Sequence, residues 1–225
     1  MVVENQYPTR SETPSPFGCG YAALWHMDMP VLAVPPLAAM LLARDLPSTG
    51  GATQFSDLGA AWRTLSSGLQ RRIGKMTVVH DLQTIRRRMG LTDPAEIRSD
   101  LPATEHPLVC FDPFSGKKSL LFSAHTSHVK DLPDEEGNAL LEDLLRHATR
   151  EDLVYSHQWR RFDLVFWNNR RTLHRVLPYN DGSERRRLWR VEVLGTDQPS
   201  NRPRSIWRIL APVLRAFGRA SHSPR

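Results

Sequence analysis

Three apolar runs of strand length lie between residues 153 and 195: LVYSHQW, DLVFWNN and RLWRVEVLG. Each is rich in β-branched and aromatic residues, which suit a pleated, half-buried surface. PLAAMLLARDLP adds a short apolar run bounded by prolines, read as a buried strand, and TVVHDL a β-branched one. HPLVCFDPFSGKKSLLFS reads as a hairpin with Ser115-Gly116 near its turn, and STGGAT as a turn. Two stretches have helical spacing. SDLGAAWRTLSSGLQRRIGKM offers Ser56 or Asp57 as an N-cap, and PDEEGNALLEDLLRHAT puts Leu140, Leu141, Leu144 and Leu145 on one face. Many short strands with two or three helices point to an all-β core with helical decoration, such as a sandwich or jelly roll.

Composition and charge narrow the functional classes. The 225 residues are 40% apolar, a globular composition long enough for one domain with a real core. No apolar run reaches about 18 residues, so no transmembrane helix is expected. MVVENQYPTR lacks the apolar core of a signal peptide. Cys19 and Cys110 form no C-x-x-C motif, which fits a reducing cytoplasm. The net charge is +6, and residues 199–225 carry six arginines with no lysine and no acid, so residues 1–198 sum to zero. The basic character belongs to a tail, and no nucleic-acid partner is expected of the domain.

The chain divides into a flexible segment 1–20, a domain 21–198 and a basic extension 199–225. Within the domain, residues 82–106 are polar, charged and without strong periodicity, as in a lid or a disordered excursion. In the extension, Ile206, Ile209, Leu210, Val213, Leu214 and Phe217 share a helical face opposed by arginines and interrupted at Pro212. That pattern reads either as a helix that meets a partner or an anionic surface, or as one docked on the body.

The chemistry centres on LWHMDMP. In a strand, residues i and i+2 point to the same side, so His26 and Asp28 would project together from a buried strand while Trp25 and Met27 face the other way. A bare His–Asp pair also reads as an ordinary surface contact. A third ligand changes the balance: DLVFWNNRRTLHRV places His174 a few residues after a strong apolar run. Two histidines and a carboxylate make the facial triad of non-haem Fe(II) oxygenases, whereas structural zinc prefers a fourth protein ligand and sulfur.

Six ordered blocks resemble the taurine dioxygenase/2,4-dichlorophenoxyacetate dioxygenase (TauD/TfdA) family from about residue 20 to residue 197: LWHMDMP, LPSTGGATQFSDLGAAWRTL, HPLVCFDPFSGKKSLLF, AHTSHVKDLPDEEGNALLEDLLRHAT, VYSHQWRRFDLVFWNNRRTLH and RRRLWRVEVLG. The AHTSHV block and the helix after it look closer to the phenoxyacetate branch. The resemblance implies a mainly β fold with helices, a double-stranded β-helix (jelly roll, cupin-like). With 25 residues ahead of His26, the chain is expected to be N-terminally truncated relative to the family. It implies an Fe(II)- and 2-oxoglutarate-dependent dioxygenase that uses O₂, hydroxylates a small, anionic organic substrate and releases succinate and CO₂. The alternative is a non-catalytic member acting as a binding or oligomerising domain. A homo-oligomer is among the assemblies compatible with either.

By the same resemblance, His26, Asp28 and His174 match the iron ligands. Thr53 and Arg190 match the groups that hold the far carboxylate of 2-oxoglutarate, with Arg186 four residues earlier assisting. His125 and His128 are candidate substrate contacts. Trp25, Phe166 and Trp167 are expected to pack behind the metal, and Asn168 and Asn169 to fix the turn that presents His174.

Overall fold

The computed structural model describes residues 3–4, 20–91, 101–180 and 183–202. The expectations for residues 5–19 and for the apolar face of the C-terminal extension fall outside them.

Strand β1 (Val3–Glu4) pairs with β12 (Arg187–Val193), which continues through β2 (Ala38–Asp45) to β10 (Leu164–Asn168), all antiparallel. A second sheet orders β11 (Thr172–Val176), β3 (Thr53–Asp57) and β9 (Val154–His157). A third joins β4 (Thr77–His80) to β5 (Thr104–Pro107) and β8 (Thr126–Val129), and β6 (Val109–Phe111) with β7 (Lys118–Leu120) makes the expected hairpin. The architecture is mainly β with helices.

Alternation along the strands decides what is buried. In β2, Ala39, Leu41 and Ala43 face inward, where they meet Trp167, Leu188 and Phe55. Phe55 comes from β3, so the two sheets share one apolar layer. Trp167 packs as expected, but Phe166, one residue earlier on β10, points outward and is 62% exposed. The period of two forbids both from lining the same side. Trp25 is half-buried against the larger core cluster, with the Arg175 guanidinium 4.6 Å from its ring centroid.

The helical stretch after Asp57 is two helices, α1 (Leu58–Thr64) and α2 (Ser67–Ile73). Asp57 caps the first by accepting from Gly59 and Ala60 N–H groups. Ser66 restarts the second, accepting from the Leu69 N–H after Leu65 turns extended. Among the described residues of 82–106 are a helix, α3 (Leu82–Arg88), capped by Asp81, and the start of β5. The amphipathic helix is α4 (Asp134–Ala148), which buries Leu140, Leu141 and Leu144.

The segment LWHMDMP is a correction to the expected strand. It makes one isolated bridge, His26 to His174, and then leaves the ladder. Met29 has φ +48°, a left-handed conformation costly for a side chain with a Cβ, and Pro30 follows with no N–H to pair. The backbone turns away after the bridge, and no ladder runs through Met27 and Asp28.

Candidate metal centre

The two halves of the site, His26 and His174, are 148 residues apart in sequence and joined by their own backbones. His26 N–H donates to the His174 carbonyl at 3.0 Å, and His174 N–H donates back to the His26 carbonyl at 2.8 Å. A bridge of this kind sets the two side chains side by side, and their ring centroids are 4.2 Å apart. His174 also sits against Trp167 (5.0 Å) and Phe55 (6.1 Å). Asp28 reaches the same point from beyond the bridge, its Oδ2 3.9 Å from His174 Nε2.

Asn169 holds the Asp28 turn in place. Fully buried, it accepts from the Asp28 N–H at 2.8 Å and donates to the carbonyls of Asp28 (2.9 Å) and Pro36 (3.1 Å). Asn168 instead accepts from the Arg170 N–H and donates to Asp112. Of the two asparagines that precede His174, the second therefore clamps the first ligand segment and the first shapes the turn.

His26, Asp28 and His174 are all buried, and one ligand atom from each lies within 4.8 Å of the other two. The residues fit a metal ion by their unmet bonding. Asp28 Oδ2 and His174 Nδ1 are buried without a hydrogen-bond partner. His26 Nδ1 lies 2.7 Å from the Leu24 carbonyl, so that nitrogen carries the proton and Nε2 keeps its lone pair. Two imidazoles and one carboxylate, with no sulfur, suit a divalent iron.

Burial pushes the imidazoles down: His26 below its ordinary value, and His174 to about 3 through burial and its neighbour His26. Burial alone would raise Asp28, but His174 and Arg190 outweigh it and hold the carboxyl below the usual range. The ligands thus stand ready in the protonation states a metal needs. Burial also lowers His125 to about 3 and holds His80 well below the imidazole range.

Folding therefore binds fewer protons than unfolding in mildly acidic solution. A histidine held neutral in the fold but near 6.5 when unfolded contributes stability that is complete above pH 6.5 and lost as pH falls toward 3. The metal-free chain should lose about 1 kcal/mol per pH unit for each such histidine over that window. Urea unfolding at pH 7, 5.5 and 4.5 measures it, and a flat profile would show these groups protonated in the fold.

The expected carboxylate-binding groups separate into two. Thr53 and Arg186 come together, Arg186 Nη2 donating to Thr53 Oγ1 at 3.0 Å and Nε to the Gly51 carbonyl at 2.9 Å. Gly51 adopts φ +68°, which a side chain would resist, and an added Cβ would press on Arg186 at 3.2 Å. Arg190 pairs with Asp28, Nη1 to Oδ1 at 2.7 Å, and not with Thr53. The sequence reading missed Trp159, whose Nε1–H donates to Thr53 Oγ1 at 2.9 Å. With both lone pairs accepting, Thr53 has its O–H to offer a ligand. The signal was the alternation running on from β9, which returns Trp159 to the side of His157.

His125 is buried, its Nδ1 3.4 Å from Ser123 Oγ. His128 is exposed on β8 and bonds Ser127, not the metal cluster.

A family model described as taurine catabolism dioxygenase TauD, TfdA family matches residues 1–191. The alpha-ketoglutarate-dependent 2,4-dichlorophenoxyacetate dioxygenase of Cupriavidus pinatubonensis is 41% identical over 76% of this chain and 60% of its own. The (S)-phenoxypropionate/alpha-ketoglutarate-dioxygenase of Sphingobium herbicidovorans is 31% identical over 76% and 62%. The chain thus spans about three fifths of the length of these relatives. Among solved structures, AAD-2 in complex with Mn(II) and N-oxalylglycine superposes with a TM-score of 0.75 at 34% identity, covering 80% of this chain and 71% of that one. A taurine dioxygenase from Burkholderia xenovorans gives 0.69 at 28% identity, covering 88% and 62%.

Proposed function

We propose that this chain, which belongs to the TauD/TfdA dioxygenase family, carries the Fe(II)- and 2-oxoglutarate-dependent centre of a dioxygenase acting on a small organic acid. The observation that carries the reading is the meeting of the buried side chains of His26, Asp28 and His174, one ligand atom of each within 4.8 Å of the other two. The anionic substrate class rests on the phenoxyacetate and phenoxypropionate enzymes among the relatives. In this reading residues 21–198 are the dioxygenase domain, and the facing sheets are the two halves of a jelly roll.

When bound, iron and 2-oxoglutarate supply oxidation of a substrate C–H bond by O₂, with release of succinate and CO₂. The chain supplies the setting. His26 and His174 offer neutral imidazole nitrogens and Asp28 offers Oδ2. Arg186 and Thr53 hold the distal carboxylate, the guanidinium by its charge and the hydroxyl by its donated proton. This assigns to Arg186 the role expected of Arg190, because Arg186 is the one that reaches Thr53. Trp167 and Phe55 wall the metal side against water. Of the two candidate substrate contacts this reading keeps His125, which is buried, and sets aside His128, which is exposed.

The test is the visible charge-transfer band formed when Fe(II) and 2-oxoglutarate are added without oxygen. Wild type should show it. Arg186→Gln should need about 100-fold more 2-oxoglutarate for half-saturation, the loss expected when a charged partner of a buried carboxylate is removed. Folded protein with no band at any 2-oxoglutarate concentration would leave a family fold without the family chemistry.

A further inference from the structure

With Arg186 on Thr53, Arg190 has no place in the cosubstrate reading, yet it occupies the most sensitive position in the site. Its Nη1 lies 2.7 Å from Asp28 Oδ1, and its Nη2 lies 3.2 Å from Glu192 Oε1. The three side chains are 2%, 17% and 23% exposed for Asp28, Arg190 and Glu192. Arg190 and Glu192 are two apart on β12, opposite Leu41 and Ala39, so both project onto the inner face of the sheet. The small Ala39 leaves Glu192 room to lie alongside Arg190.

A carboxylate this buried needs a compensating cation or it destabilises the fold. A divalent metal would provide one, through Oδ2, which has no hydrogen-bond partner. Arg190 provides the other, through Oδ1. The two oxygens are thereby divided: one is committed to the guanidinium, and one faces the imidazoles.

We propose that Arg190, aimed by Glu192, is a built-in counter-cation for Asp28 that keeps the metal-free site folded and assembled, with Oδ2 reserved for the metal. The inference rests on the metal-site reading above. Arg190 is in this sense a positioning residue. Because guanidinium and metal both neutralise the same carboxylate, loss of the first makes the fold lean more heavily on the second.

The test is the thermal midpoint of the full chain with and without Co(II). Arg190→Gln should lower the metal-free midpoint by about 10 °C, as breaking a buried ion pair does in a chain of this size. Saturating Co(II) should recover at least half of that loss, so the metal-induced shift is larger than in wild type. Arg190→Lys, which keeps the charge and loses the fork, should fall by less than Arg190→Gln. In an Asp28→Asn background, where only the more exposed Glu192 is left to balance, Arg190→Gln should cost much less. Should Arg190→Gln not fold, folding of the Asp28→Asn, Arg190→Gln double variant would support the proposal, and its failure to fold would overturn it. Equal losses with and without Co(II), or an equal loss in the Asp28→Asn background, would also overturn it while leaving the metal site standing. No Co(II) shift in wild type would remove the metal-site reading, and this inference with it.

Discussion

His174→Ala should abolish the Fe(II)–2-oxoglutarate band and weaken Co(II) binding by more than the roughly 10–100-fold that loss of an outer partner costs. The residue has three functions at once, which is why its effect is the largest expected. In the proposed triad it is one of three ligands, its ring packs against those of His26 and Trp167, and its backbone is the partner that fixes His26. Alanine keeps the backbone bridge and removes the ring. The variant should therefore retain the fold and lose the metal, a separation that calorimetric Co(II) titration beside a far-ultraviolet dichroism spectrum will show. Metal affinity close to wild type would place the ion elsewhere and dissolve the triad.

Asn169→Leu has the second largest effect, and it acts through the fold. Leucine keeps the branched shape but leaves the Asp28 N–H and the carbonyls of Asp28 and Pro36 without their partner in a fully buried place. Each stranded group costs about 1–3 kcal/mol, so a total near 4 kcal/mol is expected from urea unfolding. Freed of its clamp, the turn at Met29 would relax and carry Asp28 away from the imidazoles. Co(II) affinity should fall with stability, by about tenfold in the fraction that stays folded. A loss under 1 kcal/mol would mean that water replaces the amide and that the turn holds itself.

The sequence was most legible where chemistry is local. Helix caps, the hairpin turn at Ser115-Gly116 and the apolar runs of β2, β10 and β12 depend on neighbours a few residues away, and their signals survive in one dimension. Strands β3, β8 and β11 were not legible. β3 reads as the end of a turn and the start of a helix, and β11 mixes Arg175 and His174 among its apolar residues. Their order comes from the partners they pair with, which periodicity within a short run does not reveal. The same holds for LWHMDMP, where a predicted strand is a single bridge whose other half lies at His174.

Within the site, residue types and their order along the chain were enough to single out His26, Asp28 and His174, which the fold brings together, because a facial triad needs two imidazoles and a carboxylate whatever the scaffold. They were not enough to divide the labour of the two arginines. Arg186 and Arg190 are four apart and chemically identical, so nothing in the string distinguishes them. Packing does: Arg190 lies within β12, whose register with β2 turns it inward to Asp28, whereas Arg186 lies just before the strand and folds over Gly51 to Thr53. Side-chain identity sets what a group can bind. Which group it meets depends on hydrogen-bond register and strand alternation, and these exist only once distant segments have paired.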